Sequence, residues 1–261
     1  MRFFSRPHIA VVELTGVLGN GPRTRQCWHM LDRLSISRRA RAVVLEIDSP
    51  GGTVAASEGL QRAVARLATR KPVVAFIRGV GASGAYLAGA AATKIVALPS
   101  ALVGSIGVIS LHPMAPALLE RLGVKFQVAK GGRLKDMGAF YRESTEEERQ
   151  KEQALVDEYY EVFVAEVARC RGLEVEQVRP MATGEVFSGR RAKELGLVDE
   201  LGDLEQALEI AARLAQVSTQ YYYLRPRRPF WERILSPMAS SMVAGVLEEV
   251  ESRFPFRLYY M

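Results

Sequence analysis

Short runs of consecutive apolar residues, rich in valine, isoleucine and alanine, recur along the first half of the chain and are separated by stretches of helical periodicity. Residues 8–14, 42–47 and 73–77 are apolar almost throughout, as strands buried on both faces are. A polar, helix-compatible stretch runs from about Arg23 to Leu34. Residues 53–68 place Leu60, Val64 and Leu67 on one helical face. Further short β-rich runs follow at 95–97, 105–110 and 124–129. This alternation predicts an α/β fold with a largely parallel sheet covered by helices on both sides.

The second half reads as helical. Ser144-Thr145-Glu-Glu-Glu148 is a helix start with acids in its first turn, and the helix should continue to about Arg171. Leu155, Tyr159, Val162, Phe163, Glu166 and Val167 give that helix an apolar face interrupted by one acid. Residues 195–214 read as helical again, punctuated by Gly196 and Gly202. From Tyr221 the character changes. Three tyrosines suggest an edge strand or a subunit contact, Arg225, Arg227 and Arg228 follow, and residues 230–254 read as an amphipathic helix. Such a helix either docks on a neighbouring subunit or lies on a membrane surface. The expected organisation is therefore a main α/β domain over 1–216 and a tail over 217–261.

Residues 95–119 carry no formal charge over a length that could cross a bilayer. Pro99, Pro113 and Pro116, with Gly104 and Gly107, would break a spanning helix repeatedly, so two strands and a helix start are expected there instead. Hydrophobic residues at 48% and charged ones at 25% match an ordinary globular protein. The net charge of +6 comes from arginines spread along the whole chain. With no basic block interleaved with aromatics, nucleic acid is not an expected partner, and an anionic membrane surface remains one. Cys27 and Cys170 lack metal-ligand spacing and read as reduced thiols of a cytosolic setting. Residues 1–7 carry charges with no apolar run behind them, so no signal peptide is expected.

Two glycine-rich turns, at 48–52 and 79–84, fall at the carboxyl ends of predicted strands, where parallel sheets bind ligands. Ser83 lies where strand gives way to an alanine-rich helix. It can be an ordinary N-cap, or a nucleophile backed by free N–H groups at a helix start. A base is available from two directions. Lys135, in a loop rich in glycine and charge, can serve if burial depresses a lysine from its usual pKa of about 10.4, and is otherwise a solvated lysine. His112 needs no such tuning, although a lone histidine is commonly structural. Asp48 and Ser49 fit turn roles, Ser49 being held extended before Pro50; Ser105 fits one too.

The motifs Asp48-Ser-Pro-Gly-Gly52, Gly81-Ala-Ser83-Gly-Ala-Tyr86 and Gly104-Ser-Ile-Gly-Val108 strongly resemble the signal peptide peptidase A family of serine peptidases, peptidase family S49. So do Lys135-Asp-Met-Gly138 with Arg142 and Thr145-Glu-Glu-Glu-Arg149, and Thr183-Gly-Glu-Val-Phe-Ser-Gly189 with Gly196-Leu-Val-Asp199. They occur in order over roughly residues 8–216. The resemblance implies a ClpP/crotonase-like fold and a Ser–Lys dyad, with Ser83 as nucleophile, Lys135 as general base, and the Gly52 and Gly84 N–H groups as oxyanion hole. It implies no metal or cofactor, and as substrates signal-peptide remnants or other unfolded, hydrophobic peptides. It also implies a homo-oligomeric ring or dome, in some members with serine and lysine supplied by neighbouring subunits.

Many bacterial relatives begin with a membrane anchor, whereas this chain starts almost directly on its first strand. The expectation is a short, single-unit, self-assembling enzyme, cytoplasmic or peripherally bound to the membrane. Three alternatives share the fold or the assembly. A Clp-type Ser–His–Asp protease would use His112. A crotonase-like acyl-CoA enzyme would have no use for Ser83 together with the Lys135 loop. A non-catalytic scaffold is discouraged because both dyad positions are intact.

Overall fold

The computed structural model describes residues 8–225, whose apolar runs become the strands of one eight-stranded sheet. In chain order come β1 (His8–Thr15), α1 (Pro22–Ile36), β2 (Ala40–Ser49), α2 (Val54–Ala68), β3 (Val73–Ala82), α3 (Gly84–Ala90) and β4 (Lys94–Ala97). After β5 (Leu102–Gly104) come α4 (Pro116–Arg121), the long α5 (Glu146–Arg171), α6 (Val175–Val178) and β6 (Val186–Ser188). The last elements are α7 (Gly189–Glu194), β7 (Glu200–Leu201), α8 (Leu204–Ala215) and β8 (Tyr221–Tyr223).

The strand order is β6-β5-β3-β2-β1-β8, with β4 also on β3 and β7 on β4; only β5–β6 is antiparallel. Both faces of the central strands are covered, which is why their apolar runs are continuous. Val43, Leu45 and Ile47 pack with Leu60, Val64 and Leu67 of α2 and with Ala85 and Ala88 of α3. Ala42 and Val44 alternate to the other face, against Leu208 and Ala211 of α8. Burying each such Val, Leu or Ile contributes roughly 1.5–3 kcal/mol. The predicted edge strand at 221–223 is β8, parallel to β1.

β3 forks, and the fork positions the site. Val74–Ile77 pair with β4, whereas Val80–Ala82 pair with β5, and the register against β2 jumps between Ile47 and Ser49. The chain thus leaves one neighbour for another immediately before Ser83.

Three sequence expectations need correction. Residues 105–110 form no strand, holding instead through Ser105 N–H to Glu185 O (2.7 Å) and Gly184 N–H to Ile106 O (3.1 Å). Residues 124–129 are also irregular: their alternating Val124, Phe126 and Val128 find no strand to pair with and stay exposed. The single helix expected over 195–214 is interrupted, because Asp199 breaks the run to bind β4 through Ile95 N–H (2.8 Å) and Lys94 (3.0 Å), and the end of α5 through Arg171 (3.0 Å). β7 follows, and Asp203 then caps α8 on the Gln206 N–H.

The capping box predicted at Thr145 is present, with Thr145 and Glu148 bonding each other's backbone. Only the last turns of α5 reach the core, through Phe163, Val164, Val167 and Ala168, while Leu155, Tyr159 and Val162 remain exposed. No helix of the described residues is long and apolar enough to cross a membrane. The amphipathic helix expected over 230–254 lies outside the described residues.

Candidate active site

Ser83 ends the forked β3 and begins α3 with φ 53° and ψ −128°, a backbone conformation that L-residues rarely adopt. Holding it there costs on the order of 1–3 kcal/mol, so the surroundings must over-determine it. They do so through Ser83 N–H to Gly104 O (2.7 Å) and Leu87 N–H to Ser83 O (3.0 Å). The N-cap reading fails in its usual form, since the Ser83 hydroxyl caps no helix N–H. A half-buried serine on a strained strand-to-helix turn, with its side chain uncommitted, has the arrangement of a nucleophile elbow.

The first glycine-rich turn lies directly against it. Gly51 has φ +93°, and a Cβ there would stand 2.8 Å from both Ser83 Cβ and Gly84 N. Gly52 is laid along Leu18, with Leu18 N–H bonded to Gly51 O (2.7 Å) and Thr53 N–H to Leu18 O (2.9 Å), so its own N–H has no acceptor among the described residues. The Gly84 N–H, at the first position of α3, has none either. Two free amide donors therefore flank Ser83, in a setting where donors can meet a developing oxyanion. The family resemblance implied Gly52 and Gly84; Gly51 was read only as part of the turn, and its place in the same Gly-Gly pair was its signal. Sequence reasoning missed Ser57, whose hydroxyl leaves no room for any side chain on Gly84.

Asp48 and Ser49 play the turn roles expected of them. Asp48 accepts from Val80 N–H (3.1 Å) and pairs with Arg78 (3.0 Å). The Ser49 hydroxyl donates to Gly16 O (2.6 Å) and accepts from Gly51 N–H (3.2 Å). Ser105 joins the turn after β5 at φ 49°.

Lys135 is elsewhere. It is exposed on the loop before α5, held by its backbone N–H to Gly132 O (3.2 Å), and no hydrogen bond joins its side chain to Ser83 within one chain. The loop itself is pinned by Arg142, which bonds the Asp136 carboxylate (3.0 Å), the Asp136 carbonyl (3.1 Å) and both oxygens of Glu148 (2.6 and 2.8 Å). Arg142, then Lys130, holds the Asp136 carboxyl well below the usual carboxylate range; Arg142, then the Thr145 N–H, holds Glu148 at about 2. Asp136, whose role the sequence left open, is thus committed to ordering the loop. His112 is not at Ser83: its ring meets Glu152 (2.8 Å) and Ser110 (3.1 Å), all exposed or partly so.

The sequence profile of peptidase family S49 matches residues 65–218. The chain belongs to peptidase family S49. A putative protease of Methanocaldococcus jannaschii is 42% identical over 190 residues, covering 73% of this chain and 61% of the relative. A putative signal peptide peptidase SppA of Enterococcus faecium is 34% identical over 180 residues, covering 69% of this chain and 52% of the relative. The chain thus spans less than two thirds of the length of these S49 relatives. Among solved structures, a lysine-to-alanine mutant of a membrane-bound stomatin-specific protease, in complex with a substrate peptide, aligns with TM-score 0.56 at 13% identity, covering 90% of this chain and 99% of that one. That likeness is one of fold, and it agrees with the expected parallel-rich α/β architecture.

Proposed function

We propose that the protein is a serine endopeptidase in which Ser83 attacks a peptide carbonyl and Lys135 of a neighbouring subunit serves as general base. The observation that carries this reading is the strained Ser83 turn flanked by the free N–H groups of Gly52 and Gly84. The Ser83 Oγ–carbon bond forms as the hydroxyl proton passes to the lysine amine, and the developing oxyanion is received by the two amides. The proton then goes to the leaving amine as the peptide bond breaks, leaving an acyl-enzyme. Water deprotonated by the same lysine releases the acid and restores Ser83.

Several features support a shared site. The segment ahead of the Lys135 loop exposes Ile109, Leu111, Leu118, Leu122 and Phe126, with Ile109 and Leu111 at 83% each. An apolar surface of that kind marks a contact with another protein, here a further copy of the chain. Docking would also take Lys135 out of water, the environment that makes an amine a base. The stomatin-specific protease has been solved as a serine-to-alanine mutant and as a lysine-to-alanine mutant, and those residue types are the ones proposed here.

The substrates would be remnant signal peptides or other unfolded, hydrophobic peptides, in keeping with the name of the E. faecium relative. Residues 1–216 would form the peptidase domain and 217–261 a tail for oligomer or membrane-surface contact, in a cytoplasmic or peripherally bound enzyme. The Clp-type alternative draws no support from His112, which is engaged by Glu152.

Hydrolysis of casein and a fluorogenic peptide by wild type, Ser83→Ala, Lys135→Ala and His112→Ala, each matched for oligomer size, tests the reading. It expects the first two variants to be dead and the third active. An active Lys135→Ala with a dead His112→Ala would replace the dyad by a Clp-like triad, and an inactive, assembled wild type would favour the scaffold.

A further inference from the structure

Glu46, in the middle of the sheet, is buried to 5% exposure and takes no part in the proposed chemistry. A carboxylate there requires partners, because burying an unpaired charge is far more costly than burying a paired one. Its two partners come from opposite directions. The Tyr223 hydroxyl, on edge strand β8, donates to Oε2 at 3.0 Å, and Arg78, on β3, approaches Oε1 with its Nε at 3.5 Å. Arg78 is also shared: its Nη2 donates to Asp48 Oδ2 at 3.0 Å. Asp48 in turn accepts from Val80 N–H at 3.1 Å with its other oxygen.

These contacts lie at the fork that aims Ser83. Val80 is the first residue of β3 to pair with β5, just past the register jump against β2. Asp48 opens the turn that carries Gly51 and Gly52, and its own carbonyl accepts from Gly16 N–H (3.2 Å). A single carboxylate therefore ties the segment running into Ser83 to the turn bearing the Gly52 amide. The fit is close, since a Cβ on Gly79 would stand 2.6 Å from Asp48 Oδ1.

We propose that Asp48 and Arg78 are positioning residues for the oxyanion hole, and that Glu46 and Tyr223 couple them to the seating of edge strand β8. The inference rests on the reading of Gly52 and Gly84 as oxyanion donors. The coupling works through competition for one guanidinium. While Tyr223 satisfies Glu46, Arg78 is free to bond Asp48 fully. When the tyrosine hydroxyl is withdrawn, the buried carboxylate draws Arg78 inward and Asp48 loses its cation. β8 is suited to such a role, being an edge strand only three residues long, held by Ile9 N–H to Gln220 O (3.0 Å) and Leu224 N–H to Val11 O (2.8 Å). Whatever displaces β8 from β1 would loosen the oxyanion turn.

The test measures kcat and KM for a fluorogenic peptide with Tyr223→Phe, Arg78→Gln, Asp48→Asn and the double variant Tyr223→Phe/Arg78→Gln. Rates are normalised to sites titrated with a fluorophosphonate, so that a loss of folded protein does not enter. Misplacing an oxyanion donor by a fraction of an ångström should lower kcat by roughly 5- to 50-fold in Arg78→Gln, and by less in Tyr223→Phe, with KM within about twofold. Affinity for a peptide boronate, which presents a tetrahedral oxyanion mimic, should fall in parallel with kcat. The double variant should be no slower than Arg78→Gln alone, because both changes act through one guanidinium.

Wild-type kcat per titrated site in Arg78→Gln and Asp48→Asn overturns the positioning role. Multiplicative losses in the double variant overturn the coupling to β8. Ser83→Ala run beside them separates the two levels: if it keeps activity, the oxyanion-hole reading has failed and not merely the relay.

Discussion

Gly51→Ala tests directly whether the first glycine-rich turn is built against the nucleophile. The added methyl would meet Gly84 N and Ser83 Cβ at 2.8 Å and Ala82 O at 2.9 Å. Two of those three are backbone atoms, with no flexible side chain to swing aside. To reach ordinary contact near 3.4 Å the two turns must part by about 0.6 Å. Alanine at φ +93° adds a backbone penalty of roughly 1–2 kcal/mol, and crowding of this kind typically adds about 1–3 kcal/mol. At about 2–4 °C per kcal/mol for a domain of this size, the melting temperature should fall by roughly 5–15 °C.

Activity should suffer more than stability. Misalignment approaching 1 Å costs about 10²-fold, as does removing one oxyanion donor, so kcat should drop by roughly 10²-fold in protein that is still folded at 25 °C. Gly59→Ala is the matched control. It lies inside α2, and its Cβ would meet nothing nearer than Trp28 at 3.5 Å. There alanine should raise stability by about 0.5–1 kcal/mol with turnover unchanged. Thermal melts and peptide hydrolysis on both variants decide the matter. Wild-type kcat in Gly51→Ala would refute the claim that this turn is built against the nucleophile.

Further outcomes follow from other parts of the molecule. Oligomers re-formed from equal amounts of Ser83→Ala and Lys135→Ala subunits should recover about a quarter of wild-type activity if each site is built across a subunit boundary, and none if the dyad lies within one chain. Lys71 donates to Leu34 O, Ser37 O and Ala40 O at 2.7–2.9 Å. Lys71→Met should therefore cost about 2–3 kcal/mol by urea unfolding and leave kcat/KM unchanged. Arg142→Gln removes the cation that depresses Asp136 and Glu148. A depressed carboxylate stabilises the fold above its unfolded pKa, about 4, and that contribution vanishes as pH falls through its folded value, about 2 for Glu148. The urea midpoints of wild type and Arg142→Gln should differ at pH 7, and the gap should narrow steadily below about pH 4 and close only at or below about pH 2; a gap of the same size at about pH 2.5 as at pH 7 would remove the electrostatic explanation.

What the sequence made legible was whatever a local pattern dictates. Strands buried on both faces read as unbroken apolar runs, and the Thr145–Glu148 box marks its own helix start. Ser83 and its glycines were visible because a sharp turn needs small residues. Non-local outcomes were hidden. Val124, Phe126 and Val128 carry a strand's alternation but have no strand to pair with among the described residues, so propensity alone misled. Asp199 halts a helical run because β4 requires its carboxylate, which only the fold reveals. The bond from Tyr223 to Glu46 spans 177 positions, and no spacing rule points to it. Lys135 stands out by motif but not by geometry, since its side chain is exposed and makes no hydrogen bond to Ser83 within one chain.

The most direct measurement is intact-mass and peptide-mapping spectrometry after treatment with a fluorophosphonate. The account predicts one adduct per chain, on Ser83, with little or none in Lys135→Ala assembled to the same size. An adduct on Ser105 or Ser110 instead, or equal labelling of Ser83 without Lys135, would contradict it.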